Sequence, residues 1–284
     1  MILVSIIITT KNEEKNIANC LESIRRQTYP QNLLEVIVVD NGSTDQTKQI
    51  SRKYTAKVFD KGPERSAQRN YGMKMARGKY LMYLDADMIL SPTVIEKAVE
   101  KLSPVSNIQY PVSSIPPVAL YIPEVILGNS YWSRVRRFER SFYDGTVIDC
   151  VRVVRKDIFE RAGGFDLQMT GPEDWDLDKK IRQAGKVDII SSPIYHNESS
   201  FNLKSYLSKK SYYAKSFDGY IAKWGKNDPE VKKQLGIYYR YFGVFIEKGK
   251  WVRIIRHPIL TIGMYWLRFL VGVKFLKEKY GKRK

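Results

Sequence analysis

The sequence predicts an α/β protein with a mostly parallel central sheet, followed by a basic helical extension. In the first 200 residues, short runs of β-branched and apolar residues alternate with segments of helical periodicity. Strands that alternate with helices imply right-handed crossovers and a sheet covered on both faces. After about residue 200, Lys- and Tyr-rich segments replace this alternation. We therefore expect two domains, residues 1–200 and residues 201–284.

The predicted elements of the first 100 residues follow from apolar pattern and turn residues. Runs rich in Ile and Val without helical period indicate buried strands. Asp45 can cap the helix that follows it, Gly78 is placed to end a helix, and Ser91-Pro92 has the cap and first-turn proline of a new helix. Strands are predicted at Val4–Thr9, Leu34–Asp40, Lys57–Asp60 and Tyr80–Leu84, and helices at Glu14–Gln27, Ser66–Ala76 and from Ser91 onward.

The middle of the chain has a weaker pattern. Residues 104–145 are rich in Pro, Tyr and Arg and have no clear period. We expect them to form an insertion over a pocket mouth. The α/β pattern resumes with a strand at Val151–Arg155, a helix from Asp174 to Gly185 and a strand at Val187–Ile190.

The composition indicates a folded protein of a reducing compartment. Apolar residues make up 43% and aromatic residues 12% of the chain, which excludes a disordered tail. Cys20 and Cys150 form neither a zinc pattern nor a disulfide framework, so we expect a cytoplasmic protein. The start lacks a basic n-region, and Lys11 and Asn12 interrupt its apolar run, so no signal peptide is expected.

The formal net charge of +18 is concentrated in the last third of the chain. Residues 1–100 carry 15 basic and 12 acidic side chains, residues 101–200 carry 13 of each, and residues 201–284 carry 20 and 5. Such asymmetry indicates an anionic partner, either a phospholipid surface or a nucleic acid. A solvated basic face that keeps the protein soluble is the alternative.

Aspartates follow the predicted strands at the edge where α/β sheets bind ligands. Asp40, Asp85 and Asp87 fall at predicted strand ends, and ligands of such sheets bind at the carboxyl ends of strands. A diphosphate needs a hard divalent cation, which takes oxygen ligands such as carboxylates. One carboxylate could hold the metal and another a ribose hydroxyl. The alternative for Asp85 and Asp87 is a polar loop that caps the next helix.

Asp174 lies beside Glu173 at a predicted helix start, where the helix dipole favours anions. It could cap the helix, or it could act as a general base that takes the proton from an attacking hydroxyl. Other chemistries lack their motifs. The sequence has no G-x-x-x-x-G-K-[ST] loop, no G-x-G-x-x-G after the first strand, and no G-x-S-x-G elbow to accompany His196 or His257.

Five ordered motifs resemble those of family 2 glycosyltransferases with the GT-A fold. The resemblance extends over about residues 1–200, and the order of the motifs makes it more specific than any single match. It implies a Rossmann-like sheet and the transfer of a sugar from a nucleoside-diphosphate sugar to an acceptor hydroxyl, with inversion. The motifs are Val4–Glu13, Val36–Asp45, Arg65–Asn70, Asp85–Asp87, and Gly163–Asp166 together with Glu173-Asp174.

The resemblance implies roles for residues on the nucleotide side. Thr9, Glu13 and Asp40 match positions that line the nucleotide pocket, with Asp40 facing the base. Arg69 matches a basic residue near the nucleotide, where it would help the metal to neutralise the diphosphate. UDP is the commonest donor nucleotide of the family, so a UDP-linked sugar is expected by analogy.

The resemblance also implies roles on the reaction side. Asp85 and Asp87 match the DXD element, in which the second Asp binds Mn²⁺ or Mg²⁺. Asp174 matches the catalytic base of the inverting members. His196 lies where many relatives place a histidine near the metal or diphosphate, with a structural role as the alternative. Lys11 departs from the family's usual aromatic or small residue, and the Q-x-x-R-W signature of processive members is missing, so long-polymer synthesis is not expected.

An apolar stripe at helical spacing runs through the basic C-terminal region. Arg253, Arg256, Arg268 and Lys274 fall on the other half of the helical wheel, and Pro258 would kink or restart the helix. Because Arg268 interrupts the apolar run, we expect the helix to lie on an anionic membrane surface and not to cross it. Packing on the protein's own core is the alternative. The stripe consists of Trp251, Ile255, Ile262, Trp266, Phe269, Val273 and Leu276.

The expected protein is peripheral on the inner face of the cell membrane, glycosylates a glycan or polyprenyl-linked acceptor, and binds no nucleic acid. Lys204, Lys209, Lys210 and Lys215, interleaved with tyrosines, could extend the basic surface or hold a lipid phosphate. Three alternatives stay open. A sugar-phosphate nucleotidyltransferase should carry a Gly-rich loop after the first strand, a nucleic-acid-binding protein would show salt-dependent binding, and a non-catalytic relative would not need the full carboxylate set.

Overall fold

The computed structural model describes residues 3–103, 115–198, 201–214 and 216–280. The chain forms two compact units. The first unit comprises Met1–Glu124, Cys150–Leu167 and Asp174–Asn197, and the second comprises Val125–Asp149, Gln168–Glu173 and Glu198–Lys284. The functional division expected at residue 200 stays a prediction. Lys215 and residues 104–114 of the expected insertion lie outside the described residues.

The described strands and helices are these, in chain order. The strands are β1 (Val4–Thr10), β2 (Leu34–Asp40), β3 (Val58–Asp60), β4 (Tyr80–Asp85), β5 (Met88–Leu90), β6 (Ala119–Tyr121), β7 (Glu124–Leu127), β8 (Val153–Arg155), β9 (Val187–Ile189) and β10 (Ile194–Asn197). The helices are α1 (Ile17–Arg25), α2 (Thr47–Ser51), α3 (Arg65–Met75), α4 (Val94–Leu102), α5 (Tyr131–Arg140), α6 (Lys156–Arg161), α7 (Glu173–Ala184), α8 (Leu203–Ala214), α9 (Phe217–Trp224), α10 (Pro229–Leu235), α11 (Val244–Ile246), α12 (Trp251–Arg256) and α13 (Pro258–Tyr280).

A seven-stranded sheet in the order β3-β2-β1-β4-β8-β6-β9 forms the centre of the first unit. All its pairings are parallel except those of β8, which runs antiparallel to β4 and β6. Alternate residues of β1 face opposite layers: Ile6 and Ile8 pack in one apolar cluster, and Ile7 packs in the other. The predicted mostly parallel sheet, covered on both faces, is therefore confirmed.

The register of the sheet sets the ligand edge. Thr10 of β1 pairs with Asp40 of β2, and Thr9 pairs with Asp85 of β4. Because these strands are parallel, their carboxyl ends meet at one edge. The predicted edge therefore carries two of the three aspartates in direct register with β1.

Two helices begin later than the sequence predicts, and hydrogen bonds explain both. The N–H of Glu13 donates to Thr47 Oγ1 at 2.7 Å and that of Glu14 donates to Asp45 Oδ2 at 3.1 Å, so α1 starts only at Ile17. Asp45 also accepts from the Thr47 N–H at 3.0 Å, but the N-cap of α2 is Gln46, so the predicted cap is wrong by one residue. Helix α4 starts at Val94 because the side chain of Gln27 holds the preceding turn.

Gln27 holds that turn through both the nitrogen and the oxygen of its side-chain amide. Its Nε2 donates to the Ser91 carbonyl at 2.8 Å, and its Oε1 accepts from the Ile95 N–H at 3.1 Å. The amide satisfies a first-turn N–H that would otherwise have no partner within the helix. The expected Ser91-Pro92 cap is thus wrong by two residues, and Thr93 is the N-cap.

The sequence of residues 104–145 has no clear period, but the described part of this segment contains β6, β7 and α5. The two strands are only three and four residues long. Helix α5 buries Arg136, Glu139 and Arg140 on its inner side. A helix is predicted from apolar residues that recur on its buried face. Because charged residues occupy part of that face in α5, the pattern is absent from its sequence.

The second unit is helical, and α13 is its longest described helix. A new helix begins at Pro258, as predicted. Within the described residues, α13 is the one helix that is long and apolar enough to cross a membrane, by length and composition alone. The apolar segment is Pro258–Lys277. Arg268 lies within that segment, but its side chain is buried and donates to Glu139 Oε1 at 2.7 Å.

Candidate active site

Asp85 ends β4 and lies among three polar partners. Its Oδ1 accepts hydrogen bonds from Thr9 Oγ1 at 3.0 Å and from Arg69 Nη2 at 3.0 Å. Its Oδ2 lies 3.8 Å from Arg65 Nη1. Thr9 is in register with Asp85 across the β1–β4 ladder, which explains their contact. These contacts hold the Asp85 carboxylate at the ligand edge of the sheet.

Arg69 joins Asp85 to Asp174. Its Nη1 donates to Asp174 Oδ1 at 2.7 Å, so one guanidinium contacts two carboxylates that are 89 positions apart along the chain. The guanidinium lies over the rings of Tyr83, at 4.7 Å, and Phe165, at 5.1 Å. Burying an arginine is costly unless it is paired and hydrogen-bonded. The two carboxylates and two rings supply that environment.

The position of Arg69 differs from the sequence expectation. A residue that neutralises the diphosphate must reach the ligand, but Arg69 is fully buried and both of its Nη atoms contact carboxylates. Arg65, one turn earlier on α3, keeps 28% of its side chain exposed. Sequence reasoning gave Arg65 no role, although its position one helical turn from Arg69 is the signal that could have found it.

Asp174 lies in the first turn of α7, next to Tyr83. Tyr83 Oη donates to the Val151 carbonyl and lies 3.5 Å from Asp174 Oδ1. Burial, and then the nearby Cys150 and Asp174, raise the pKa of Tyr83 well above its usual range. The hydroxyl therefore remains protonated. Arg69 and Tyr83 both approach Oδ1 of Asp174, which fixes the orientation of the carboxylate.

Asp87 and His196 form a pair. Asp87 Oδ2 lies 3.0 Å from His196 Nε2, and the Asn197 N–H donates to the Asp87 carbonyl at 2.9 Å. The antiparallel pairing of β5 with β10 brings the two residues together, because His196 is in register with Met88. Asp87 Oδ1 is buried and has no hydrogen-bond partner within the described residues.

This pair fits a divalent cation that is shared with a ligand. No group of three or more His, Cys, Asp or Glu side chains that could hold a metal ion occurs among the described residues. A buried carboxylate oxygen without a partner, beside an imidazole, offers two donor groups. Mn²⁺ and Mg²⁺ at nucleotide sites take few protein ligands and complete their coordination with phosphate oxygens and water.

The residues expected around the nucleotide lie along the neighbouring strands. Asp40 is fully buried, and its carboxylate accepts from the N–H of Ser43 at 2.7 Å and from the Ser43 hydroxyl. Glu13 Oε2 accepts from Asn16 Nδ2 at 2.7 Å. The structure thus brings Thr9, Asp85, Arg69 and Asp174 into one cluster. Asp87, two residues after Asp85, pairs with His196 of β10. Asp40 ends β2, and Glu13 lies in the loop after β1.

Residues 5–163 match the sequence profile named Glycosyl transferase family 2. The chain belongs to this family. Among its relatives, Glycosyltransferase AglE of Haloferax volcanii is 37% identical over 107 residues, which cover 35% of each chain. The chain therefore spans about a third of the length of this relative. The matched residues contain the motifs up to Asp85–Asp87 except for Val4, and the match ends at Gly163, before Glu173 and Asp174.

Solved structures of two proteins share the fold. The mannosyltransferase PcManGT from Pyrobaculum calidifontis, in complex with GDP-Man and Mn²⁺, aligns with a TM-score of 0.60 and 19% identity over 97% of this chain and 87% of its own. Staphylococcus aureus TarS 1-349 in complex with UDP aligns with a TM-score of 0.51 and 19% identity, over 100% of this chain and 92% of its own. The chain has the GT-A fold.

Proposed function

We propose that this protein is a metal-dependent, inverting glycosyltransferase of the hexosyltransferase type. It transfers a sugar from a nucleoside-diphosphate sugar, UDP-linked by preference, to an acceptor hydroxyl. The observation that carries the proposal is the cluster at the sheet edge, where Arg69 joins Asp85 to Asp174. Asp87, two residues after Asp85, pairs with His196 of β10.

The donor binds across the carboxyl ends of β1, β2 and β4. Glu13 is the proposed nucleotide contact and Asp85 the proposed ribose contact. Asp40 and Thr9 are buried and act through the residues that they hold, Ser43 and Asp85. Family membership supports a nucleotide-sugar donor, as do the GDP-Man complex of PcManGT and the UDP complex of TarS. We assign contact with the diphosphate to Arg65 and not to Arg69, because the side chain of Arg65 is partly exposed and that of Arg69 is buried.

Asp87 and His196 would hold Mn²⁺ or Mg²⁺. When bound, the cation neutralises charge on the diphosphate and so improves it as a leaving group. The partnerless Asp87 Oδ1 supports this assignment. The Asn197 N–H holds the backbone of Asp87, which keeps the carboxylate in place.

Asp174 is the proposed base. Arg69 and Tyr83 occupy the side of Oδ1, so we assign Oδ2 as the oxygen that accepts the proton from the acceptor hydroxyl. The hydroxyl oxygen bonds to the anomeric carbon on the face opposite the departing diphosphate. Because there is one displacement, the anomeric configuration inverts. The proton moves to Asp174 as the new bond forms.

The acceptor is proposed to be a lipid-linked saccharide, and the protein to lie peripherally on the cytoplasmic face of the cell membrane. The stripe expected from the sequence is largely exposed, while Met264 and Leu267 of α13 are buried, which supports a free apolar face on one side of the helix. Residues 201–284 carry 20 basic and 5 acidic side chains, which complements an anionic bilayer. The apolar face, half or more exposed, comprises Trp251, Ile255, Ile259, Ile262, Trp266, Phe269 and Leu276.

Two earlier alternatives are less well supported. Membership of a glycosyl transferase family favours sugar transfer over nucleotidyl transfer. The exposed residues of α12 and α13 form an apolar row beside the exposed Arg253 and Arg256, whereas contacts to nucleic-acid phosphates need cations and no such apolar row. A membrane surface therefore suits this face better.

The direct experiment incubates the full chain with UDP- and GDP-linked hexoses, Mn²⁺ and a lipid-linked saccharide extract, and measures the release of nucleoside diphosphate. We expect release with one nucleotide class that EDTA abolishes and excess Mn²⁺ restores. Release that EDTA leaves unchanged would contradict the metal assignment. Failure of every donor both to bind and to react would contradict the proposed function.

A further inference from the structure

One face of α13 is attached to α5 of the same unit. Near the start of α13, the Tyr131 hydroxyl donates to the Ile259 carbonyl at 3.0 Å. One turn later, Gly263 lies so close to Tyr131 that a larger side chain would collide with it. Further along, Arg268 Nη1 donates to Glu139 Oε1 at 2.7 Å. The apolar helix is therefore fixed to α5 from its first turn to Arg268.

This attachment determines how α13 can meet a bilayer. Helix α5 is ten residues long, which is half of what a membrane span needs, and five of its ten residues are charged. If α13 crossed the membrane, it would either carry these charges into the hydrocarbon or break the ion pair of Arg268 with Glu139, and both are costly. We therefore expect α13 to present only its opposite face, with its axis in the membrane plane.

A second segment, residues 237–246, extends this exposed apolar face. Tyr241 Oη donates to the Arg268 carbonyl at 2.8 Å, and the ring of Phe242 lies 6.4 Å from that of Tyr265, which precedes the exposed Trp266. The exposed faces of the segment and of α13 therefore adjoin. We call them together, with the exposed apolar residues of α12, the apolar plate. The residues that the segment adds are 46% to 76% exposed and comprise Ile237, Tyr238, Phe242 and Ile246.

The charge of this part of the chain indicates what covers the apolar plate. Residues 237–284 contain 12 basic and 2 acidic side chains, and Lys248, Arg253 and Arg256 are exposed. An apolar surface of this size marks a protein or membrane contact. An anionic bilayer offers hydrocarbon to the plate and negative head groups to the cations. A second copy of the chain fits less well, because a symmetric contact would place these cations against the same cations of the other copy.

We propose that residues 237–246 are a second membrane-contacting segment, which enters the interface of an anionic bilayer beside α13 while α13 lies in the membrane plane. The proposal rests on the peripheral location proposed above and adds to it a new contact segment and the orientation of the helix. It does not depend on sugar transfer, because the plate contains no residue of the candidate active site.

Site-specific fluorescent labels on the full chain test both parts of the proposal. Cys20 and Cys150 are buried, so an environment-sensitive thiol dye reacts with an introduced, exposed cysteine. On addition of phosphatidylglycerol vesicles, a dye at Tyr238→Cys should brighten and shift to the blue, and a dye at the control Leu167→Cys of the first unit should not. Spin-labelled lipids should quench dyes at equal depth along α13, although the outer two sites are about 26 Å apart along the helix. These sites are Ile259→Cys, Trp266→Cys and Leu276→Cys.

Flotation with the same vesicles gives an independent measure. Tyr238→Glu should lower the floated fraction, and Tyr238→Leu, which keeps an apolar side chain, should not.

Four outcomes would overturn the proposal. An unchanged dye at Tyr238→Cys on a protein that floats would exclude the second segment alone. A dye at Trp266→Cys that lies deeper than those at both outer sites would mean that α13 crosses the bilayer. A self-associated state that Tyr238→Glu abolishes, with unchanged flotation, would assign the plate to a second copy. A wild type that does not float would contradict the peripheral location itself, whereas floating protein without sugar transfer would contradict only the transferase activity.

Discussion

Arg69 determines how the candidate site is built at the scale of single residues. The sequence motifs predict that Asp85 and Asp174 lie near a common ligand, and in the structure both carboxylates accept hydrogen bonds from Arg69. What the motifs could not show is that this partner is buried between them. Arg69 can be buried because Tyr83 and Phe165 supply aromatic rings and Asp174 supplies a carboxylate. Because these residues are far from Arg69 along the chain, a local sequence pattern cannot predict their contacts with it.

The substitution Arg69→Met tests the stabilising role of this guanidinium. It leaves two carboxylates without their shared cation, and removing one partner of a buried pair costs about 3 kcal/mol or more in the free energy of unfolding. Urea unfolding measures the loss. The matched variant Arg65→Met removes a partly exposed cation and should cost less than about 1 kcal/mol. Equal losses in the two variants would mean that Arg69 does not hold the site together.

The substitution Asp174→Asn tests the proposed base. Asn retains an oxygen for Arg69 but cannot take up a proton, so kcat should fall by about 10²–10⁴-fold. The affinity for UDP should not change. Initial rates and calorimetric titration measure the two quantities, with the exposed Asp157→Asn as the control. A variant that keeps wild-type kcat would exclude Asp174 as the base.

At the scale of elements, Glu35 of β2 connects neighbouring segments at the edge of the sheet opposite the ligand edge. Although it lies in a predicted buried strand, its side chain pairs with Ser5 of β1, Lys57 and Arg77. Burial acts to raise the pKa of Glu35, but the Arg77 N–H and the Lys57, Ser5 and Arg77 side chains lower it to about 2. The alternation of strands and helices was predictable from apolar periodicity. The contacts of Glu35 were not predictable, because Ser5, Lys57 and Arg77 come from three different segments of the chain.

Stability should depend on pH through Glu35. Because its pKa is lower in the folded state, its stabilisation is present above the unfolded pKa of about 4.5 and is lost as pH falls towards 2. Glu35→Gln should therefore cost on the order of 2 kcal/mol at pH 7, and most of this difference from the wild type should be lost at pH 2.5. Urea unfolding at pH 7 and pH 2.5 measures it, with the exposed Glu100→Gln as the control. A pH-independent cost would assign the effect to packing.

At the scale of the whole molecule, the first 200 residues were better predicted than the rest. The sheet follows from strong local patterns. The elements of residues 115–145 were missed because α5 buries charged residues. The C-terminal stripe was predicted, but Arg268 was interpreted as interrupting it. The structure instead buries Arg268 against Glu139, so the exposed face of α13 carries no interrupting charge at that position.

Association with a membrane follows from this exposed face. Trp266→Glu places a charge among apolar residues that would enter the bilayer interface, so flotation with anionic vesicles at low salt should fall sharply. Leu167→Glu changes a comparably exposed apolar residue of the first unit and should leave flotation unchanged. A wild-type protein that remains in the bottom fraction would contradict the peripheral assignment.

Calorimetric titration of UDP and GDP into the full chain, with Mn²⁺ and with EDTA, tests most directly whether the sheet edge is a cation-dependent donor site. We expect one nucleotide to bind only with Mn²⁺, Asp87→Asn to abolish this binding, and Asp174→Asn to retain it. Equal affinity in Mn²⁺ and EDTA, or undiminished binding to Asp87→Asn, would contradict the site.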